Sequence, residues 1–355
     1  MRVVEVLSAS TGGIGRHVAD LAPRLVALGH EVTVLCPPST AAAHDLAGLD
    51  GGPPRRLARL RGVDVVHAHG YKAGAAALPW TRLRGIPLVV TWHNAVLAGG
   101  AAGRVGRALQ ALVARGADLT LGASSDLVAV ARAAGARHAV LGPVAAPRLA
   151  APAVPRDQYR AGLGLGPDDV LVATVGRLAP QKNLGLVLDV AARLADRSDV
   201  TFVVAGGGPL RDALADRVAR EGTRVRLLGP VDDVASLLAA ADLMLLTSTW
   251  EARALVAQEA LLAGLPLVST RVGGIEELVG TAAVLVPSGD ADAAADAVRS
   301  LVDDPARRSA LAATGAAQAA GWPDEDRVAR DLAATYADLV AARAAGHSTR
   351  SRPGT

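Results

Sequence analysis

The feature that most constrains this chain is an alternation running almost from end to end, in which apolar runs of strand length are separated by amphipathic segments of helix length. Parallel strands need crossover helices, so this pattern specifies βαβ units and an α/β fold class. Strands are expected near Val3–Ser8, Glu31–Cys36, Asp64–His69, Leu88–Trp92, Leu119–Ala123 and Ala139–Leu141. The stretch Pro143-Val-Ala-Ala-Pro147, followed by Pro152 and Pro155, suits neither a regular helix nor a central strand, and reads as a linker. The alternation then restarts, with strands expected near Val170–Gly176, Thr201–Ala205, Arg226–Leu228, Leu243–Thr247, Leu267–Ser269 and Val284–Val286. At 355 residues the chain can hold two doubly wound, Rossmann-like domains, each with its own core. The expected division is 1–150, 151–323, a helix over 324–345 capped by Asp324, and a polar, frayed tail over 346–355.

In such sheets ligands bind in the loops after the strands. The first strand leads into Ser10-Thr-Gly-Gly-Ile-Gly15, where Gly12 and Gly13 would let backbone amides approach a phosphate ahead of a helix read as Arg16 to Leu28. The spacing is not G-x-G-x-x-G and Cys36-Pro-Pro stands where a ribose-binding acid would be, so dinucleotide binding is disfavoured. The first strand of the second half ends in Gly176-Arg-Leu-Ala-Pro-Gln-Lys182, one of only two lysines against 35 arginines. A forked guanidinium and a point charge together suit a diphosphate, although a solvated surface pair is the alternative. Gly206 and Gly207 form a second glycine loop, against which a nucleotide could lie. Glu251 and Glu259 then flank a third strand-to-helix transition, with Glu259 about one turn into the helix and facing ribose hydroxyls.

These motifs, with Ala241-Asp242, Ala263-Gly-Leu-Pro266, Val272-Gly-Gly274 with Glu277, and Val286-Pro-Ser-Gly-Asp290, resemble a retaining glycosyltransferase of family four. Asp64-Val-Val-His-Ala-His69, Thr91-Trp-His93, His17, and Trp322 with Tyr336 extend the likeness over most of the chain. The resemblance implies the GT-B fold, with two Rossmann-like domains facing across a cleft and the last helix crossing back to the first. It implies that Arg177 and Lys182 bind the donor's phosphates, that Glu259 holds ribose, that Glu251 lies beside the donor sugar, and that His93 sits near the reacting centre. A histidine closing a buried strand is the other reading of His93, and His67 and His69 are read as mainly structural. A nucleotide-diphosphate sugar is then a co-substrate, and neither a cofactor nor a metal is required. Asp324-Glu-Asp326 has a metal-binding form but lies at a helix start, where capping explains it. The family's Glu-Gly-Phe-Gly is here Glu251-Ala-Arg-Ala254, followed by Leu255, which leaves the donor open. Arg253 could meet an anionic sugar or a phosphate, or point to solvent. A non-hydrolysing sugar-nucleotide epimerase and a degenerate nucleotide-binding scaffold would share the fold.

Charge divides unevenly, with residues 1–150 carrying 16 basic and 8 acidic side chains while the remainder is net negative. In this fold the first domain takes the acceptor, so the excess suggests an anionic acceptor, a lipid-linked phosphate or the membrane surface itself. Arg55, Arg56, Arg59 and Arg61, with Trp80 beside Arg82 and Arg84, would face it; solvated arginines are the plain alternative. No nucleic-acid partner is expected. The single cysteine, Cys36, and a start that opens directly into a strand fit a cytoplasmic protein without a signal peptide, associated at most with the membrane face.

Overall fold

The computed structural model describes residues 1–10, 12–46 and 48–350; the side chains of residues 50 and 346–350 are not described. The chain forms two compact units, one comprising Met1–Ala145 and the segment from Pro323 onward, the other Ala146–Trp322.

The first unit is built on a parallel sheet of seven strands: β1 (Arg2–Leu7), β2 (Glu31–Leu35), β3 (Asp50–Gly52), β4 (Val65–His69), β5 (Leu88–Trp92), β6 (Leu119–Gly122) and β7 (Ala139–Leu141). Their order is β3-β2-β1-β4-β5-β6-β7, so the winding reverses between β1 and β4. Every residue of β4 and β5 is buried, as a sheet covered on both faces requires. The long C-terminal helix Glu325–Arg350 belongs to this unit. Val328, Ala329, Leu332 and Tyr336 join the core formed by β1, β2 and the helix Gly13–Ala27. Ion pairs from Arg24 to Glu325 and Asp326, and from Arg343 to Asp118, fasten it further. Asp324 Oδ1 accepts a hydrogen bond from the amide of Arg327 at 2.6 Å. The helical backbone continues five residues beyond the expected end at Ala345, while 351–355, the rest of the expected tail, lie outside the described residues.

The second unit repeats the plan with six parallel strands: β8 (Val170–Val175), β9 (Val200–Ala205), β10 (Val225–Gly229), β11 (Leu243–Leu246), β12 (Leu267–Thr270) and β13 (Ala283–Val286). Their order is β10-β9-β8-β11-β12-β13, and the winding reverses between β8 and β11. One apolar cluster covers each face, the first around Val187, Phe202 and Val298, the second around Leu237, Met244 and Leu261. In sheets of this kind the loops at the reversal point are where ligands bind. The sheet order therefore singles out the loops after β1 and β4 in the first unit, and after β8 and β11 in the second.

Two local readings change. The first helix begins at Gly13, three residues before the expected Arg16, so Gly12 becomes its cap position and Gly13 its first residue. The short strand β3 escapes an apolar-run criterion because Asp-Gly-Gly has little strand propensity; its pairing with β2 comes from backbone bonds such as Cys36 N to Gly52 O, 3.0 Å.

Candidate functional site

In the second unit the loops after β8 and β11 are tied together. The amide of Thr249 donates to Gln181 O at 2.8 Å, the Gln181 side chain to Trp250 O at 2.7 Å, and the Thr247 hydroxyl to Lys182 O at 2.9 Å. These bonds bring Lys182, at the end of a short turn over Pro180–Lys182, against Glu251, with Nζ 2.5 Å from Oε1. The same carboxylate oxygen accepts from the Ser248 hydroxyl at 2.7 Å. Lysine and glutamate, given separate roles by the sequence reading, are thus one ion pair spanning the reversal point. Arg177 lies in the same β8 loop, exposed, and its side chain makes no hydrogen bond or ion pair among the described residues.

Backbone packing explains several motif glycines. A Cβ on Gly206 would stand 1.9 Å from the carbonyl oxygen of Gly176, and Gly206 has φ +142°, so the loops after β8 and β9 touch through bare backbone. Gly207 is tight only against Pro230. Gly176, Arg177, Gly206 and Gly207 line one small pocket with Val231 and Val234. Gly273, at φ +52°, abuts the carbonyl of Glu251, which also accepts from the amide of Gly274 at 2.8 Å. The Val272-Gly-Gly274 motif therefore clamps the Glu251 loop.

Ala252 and Ala254 are buried, and Ala254 precedes the helix Leu255–Leu262, whose first turn has no side-chain cap. Glu259 is the fifth residue of that helix, half-buried. Arg253 is neither solvated nor paired in full: it is half-buried, and its Nε is enclosed without a partner. Burial lowers its pKa from the ordinary arginine value, opposed by the charge of Glu277.

The first unit holds a cluster the sequence reading did not assemble. Glu5, fully buried in β1, accepts from His69 Nε2 at 2.7 Å and from the Tyr336 hydroxyl at 3.2 Å. His69 Nδ1 lies 3.1 Å from His93 Nε2; His67 lies 2.6 Å from the Tyr336 hydroxyl and 2.7 Å from the Thr91 hydroxyl. The His17 ring stands 5.6 Å from both His69 and His93. Burial, then the charge of neighbouring histidines, holds His67 and His93 well below the usual imidazole pKa and His17 at about 3. Gly12, ahead of His17, has open space where its side chain would be, and a positive φ does not dictate glycine there. In the sequence the members of this cluster show as separate motif residues, His17, His67, His69, His93 and Tyr336, and as a glutamate within the apolar stretch Val3–Leu7.

Residues 12–146 match the family described as Glycosyl transferase 4-like domain, and residues 169–304 that described as Glycosyl transferases group 1. The chain is 33% identical to D-inositol 3-phosphate glycosyltransferase 1 of Catenulispora acidiphila, over 91% of this chain and 90% of that protein. It is 31% identical to glycogen synthase of Mycobacterium tuberculosis, over 83% of each. Among solved structures, Anabaena Alr3699/HepE in complex with UDP and glucose superposes with a TM-score of 0.81 at 21% identity, covering 95% of this chain and all of that one. With two reversed parallel sheets and these matches along nearly its whole length, the chain belongs to the group 1, family-four glycosyltransferases of GT-B fold.

Proposed function

We propose that the protein transfers a sugar from a nucleotide-diphosphate sugar to an anionic acceptor, with retention of configuration and without a metal ion. The observation that carries this reading is the Lys182–Glu251 pair at the reversal point of the second sheet, with the uncommitted Arg177 in the same loop. A donor diphosphate arriving there meets a fixed lysine, a forked arginine and the uncapped start of the helix Leu255–Leu262. Those positive groups take the place of a metal in neutralising the departing diphosphate. Glu259 accepts from ribose hydroxyls, and Glu251, sharing its lysine with the phosphate, accepts from the sugar. The bond from the anomeric carbon to the phosphate oxygen breaks as the bond to the acceptor oxygen forms on the same face. The acceptor's proton passes to the leaving phosphate, so no strong enzyme base is needed, in keeping with a neutral His93. UDP is the favoured carrier, because the Anabaena neighbour holds UDP and glucose.

Support for an anionic acceptor comes from charge and from the Catenulispora relative, whose name specifies D-inositol 3-phosphate. Residues 1–145 carry 15 basic against 8 acidic side chains, and the segment from Pro323 carries five of each, so the first unit keeps a net +7. Arg55, Arg56, Arg59, Arg61, Arg82 and Arg84 are exposed, alongside Trp80 at 37% and Leu83 at 77% exposure. A lipid-linked phosphate at a membrane face would use the same surface. No helix among the described residues is long and apolar enough to cross a bilayer.

The deciding experiment is a thermal-shift panel of UDP-, GDP- and ADP-sugars, followed by transfer to inositol phosphate and to other phosphorylated acceptors, with NMR of the new glycosidic bond. A bound donor at 100 times its Kd adds about 2.7 kcal/mol of stability, which such a panel resolves. Inversion at the anomeric carbon would sink the retaining mechanism. Conversion of the nucleotide sugar without acceptor would make the protein an epimerase, and binding without transfer a degenerate scaffold.

A further inference from the structure

Arg253 is a cation without an anion. It sits two residues after Glu251 in the loop that follows β11, half-buried itself, between Ala252 and Ala254, both buried. Its Nε is enclosed with no hydrogen-bond partner, and its guanidinium makes no hydrogen bond or ion pair among the described residues. The acid nearest along the chain does not serve it, because Glu251 Oε1 is taken by Lys182 Nζ at 2.5 Å and by the Ser248 hydroxyl at 2.7 Å. Arg253 feels the charge of Glu277, on the helix Ile275–Val279, yet no ion pair joins the two. Arg177 is also unpaired, but it is exposed and water satisfies it. A guanidinium partly withdrawn from water keeps its charge and loses solvation, so an enclosed and unpaired one marks a place where the anion comes from outside the chain.

The surroundings of the loop narrow down which anion that is. Through its carboxylate Glu251 faces Lys182 and the β8 loop, and through its carbonyl it accepts from Gly274 N at 2.8 Å, beside the helix Ile275–Val279 whose Glu277 acts on Arg253. A diphosphate taken up by Lys182 and Arg177 leaves Arg253 unserved. What remains for it is a charge carried by the sugar itself. We propose that Arg253 is a specificity-determining residue that pairs with the carboxylate of the donor sugar, so that the donor is a nucleotide-diphosphate uronic acid. This rests on the function proposed above and adds the class of donor to it. The planar fork of a guanidinium matches the two oxygens of a carboxylate, which a lysine at the same place would not. A neutral hexose carries a hydroxymethyl group instead and leaves the enclosed cation unpaired, so the site selects by penalising the wrong sugar as well as by holding the right one.

The test is binding of matched donors to the full chain, by calorimetry and thermal shift, with each pair differing only in a carboxylate for a hydroxymethyl group: UDP-glucuronate with UDP-glucose, UDP-galacturonate with UDP-galactose, and GDP-mannuronate with GDP-mannose. In at least one pair the uronate is expected to bind about ten- to a hundredfold more tightly, the worth of a charge-assisted hydrogen bond. Arg253→Met keeps an apolar stem and removes the charge; it should bind both members of that pair alike, hold the free nucleoside diphosphate as the wild type does, and show an equal or higher urea midpoint, because an unpaired enclosed charge has gone. Arg253→Lys should keep only part of the preference. Equal or weaker binding of the uronate in every pair would overturn the assignment from the wild type alone, without any variant having to fold. So would a preference that persists in Arg253→Met, or a fall in urea midpoint shared by Arg253→Met and Glu277→Gln, which would make the arginine a structural partner of Glu277. Nucleoside diphosphate binding with no preference between sugars removes the role of Arg253 and leaves the proposed function standing, whereas failure to bind UDP, GDP or any of the six donors overturns both.

Discussion

Replacing Lys182 by alanine separates the electrostatic and structural roles of the pair with Glu251. The lysine side chain is 20% exposed and the glutamate 9%, so the substitution strands a nearly buried carboxylate with the Ser248 hydroxyl at 2.7 Å as a remaining partner. Breaking a fully buried pair from one side costs about 3–5 kcal/mol. Water reaches Lys182, so a cost of about 2–3 kcal/mol is expected here, read as a lower urea midpoint at unchanged slope. Adding Glu251→Ala removes the stranded charge, and the double variant should regain about 1–2 kcal/mol of that loss. Activity should not follow stability. If Lys182 neutralises the departing diphosphate, Lys182→Ala loses about 3 kcal/mol of transition-state stabilisation, some two orders of magnitude in turnover, and the double variant stays inactive. Lys182→Arg should fold well yet remain impaired, because a planar fork does not reproduce a point charge. The assays are urea denaturation followed by circular dichroism and nucleoside-diphosphate release under saturating donor. Turnover within a few-fold of wild type in Lys182→Ala would refute the catalytic reading. Recovery of turnover in the double variant would show that Lys182 merely shields Glu251.

Arg177→Ala should reduce transfer by about two orders of magnitude with little loss of stability, since its side chain has no partner among the described residues; an unchanged rate removes it from the site. Turnover should survive exhaustive chelation, and loss restored by magnesium or manganese would contradict the metal-free mechanism. Stability should fall with acid: His17 at about 3, with His67 and His93 also depressed, binds fewer protons folded than unfolded, where the value is near 6.5. Folding is therefore most favourable above 6.5 and weakens as the pH falls toward 3, by about 1.4 kcal/mol per pH unit from His17 alone; equal urea midpoints on either side of 6.5 would refute this. Neutralising Arg55, Arg56, Arg59 and Arg61 should abolish salt-sensitive flotation with anionic vesicles, at about 1 kcal/mol per residue, and equal recovery on neutral vesicles removes the membrane form of the acceptor.

What the sequence displayed was whatever depends on near neighbours. Val65-Val-His-Ala-His69 and Leu88-Val-Val-Thr-Trp92 carry no acidic, lysine or arginine side chain because their strands are covered on both faces, and Asp324 caps the helix one residue beyond it. The loops after β8 and β11 were legible as ligand loops because strand ends are visible in the sequence. That Lys182 and Glu251, 69 residues apart, share a bond was not, since it depends on the β8–β11 pairing and on Gln181 and Thr249 holding the loops together. Glu5 was hidden more deeply. One acid in an apolar strand reads as a solvent-facing residue, and its partners lie 64 and 331 positions away, on β4 and on the last helix.

The glycines show how a motif can be recognised for one reason and built for another. Gly206 was read as bare backbone for a nucleotide, yet the atom that a side chain there would strike is the carbonyl oxygen of Gly176. The β8 and β9 loops are joined further by Gly176 N to Ala205 O at 2.9 Å, Leu178 N to Gly207 O at 2.9 Å and Leu210 N to Leu178 O at 3.0 Å. Gly208 repeats the device, its absent side chain making room for Leu178 O. Arg177 is thus flanked on both sides by residues bonded to the neighbouring loop, while its own side chain stays exposed. A fixed backbone under an uncommitted guanidinium is a preorganised cation: little backbone ordering remains to be done when a phosphate arrives. The same logic holds at Gly273 and Gly274, which fix Glu251 through its carbonyl and so fix the carboxylate that holds Lys182. Glycine in these loops acts first on the protein, by letting one loop rest directly on another, and reaches the ligand through the charges that this contact aims.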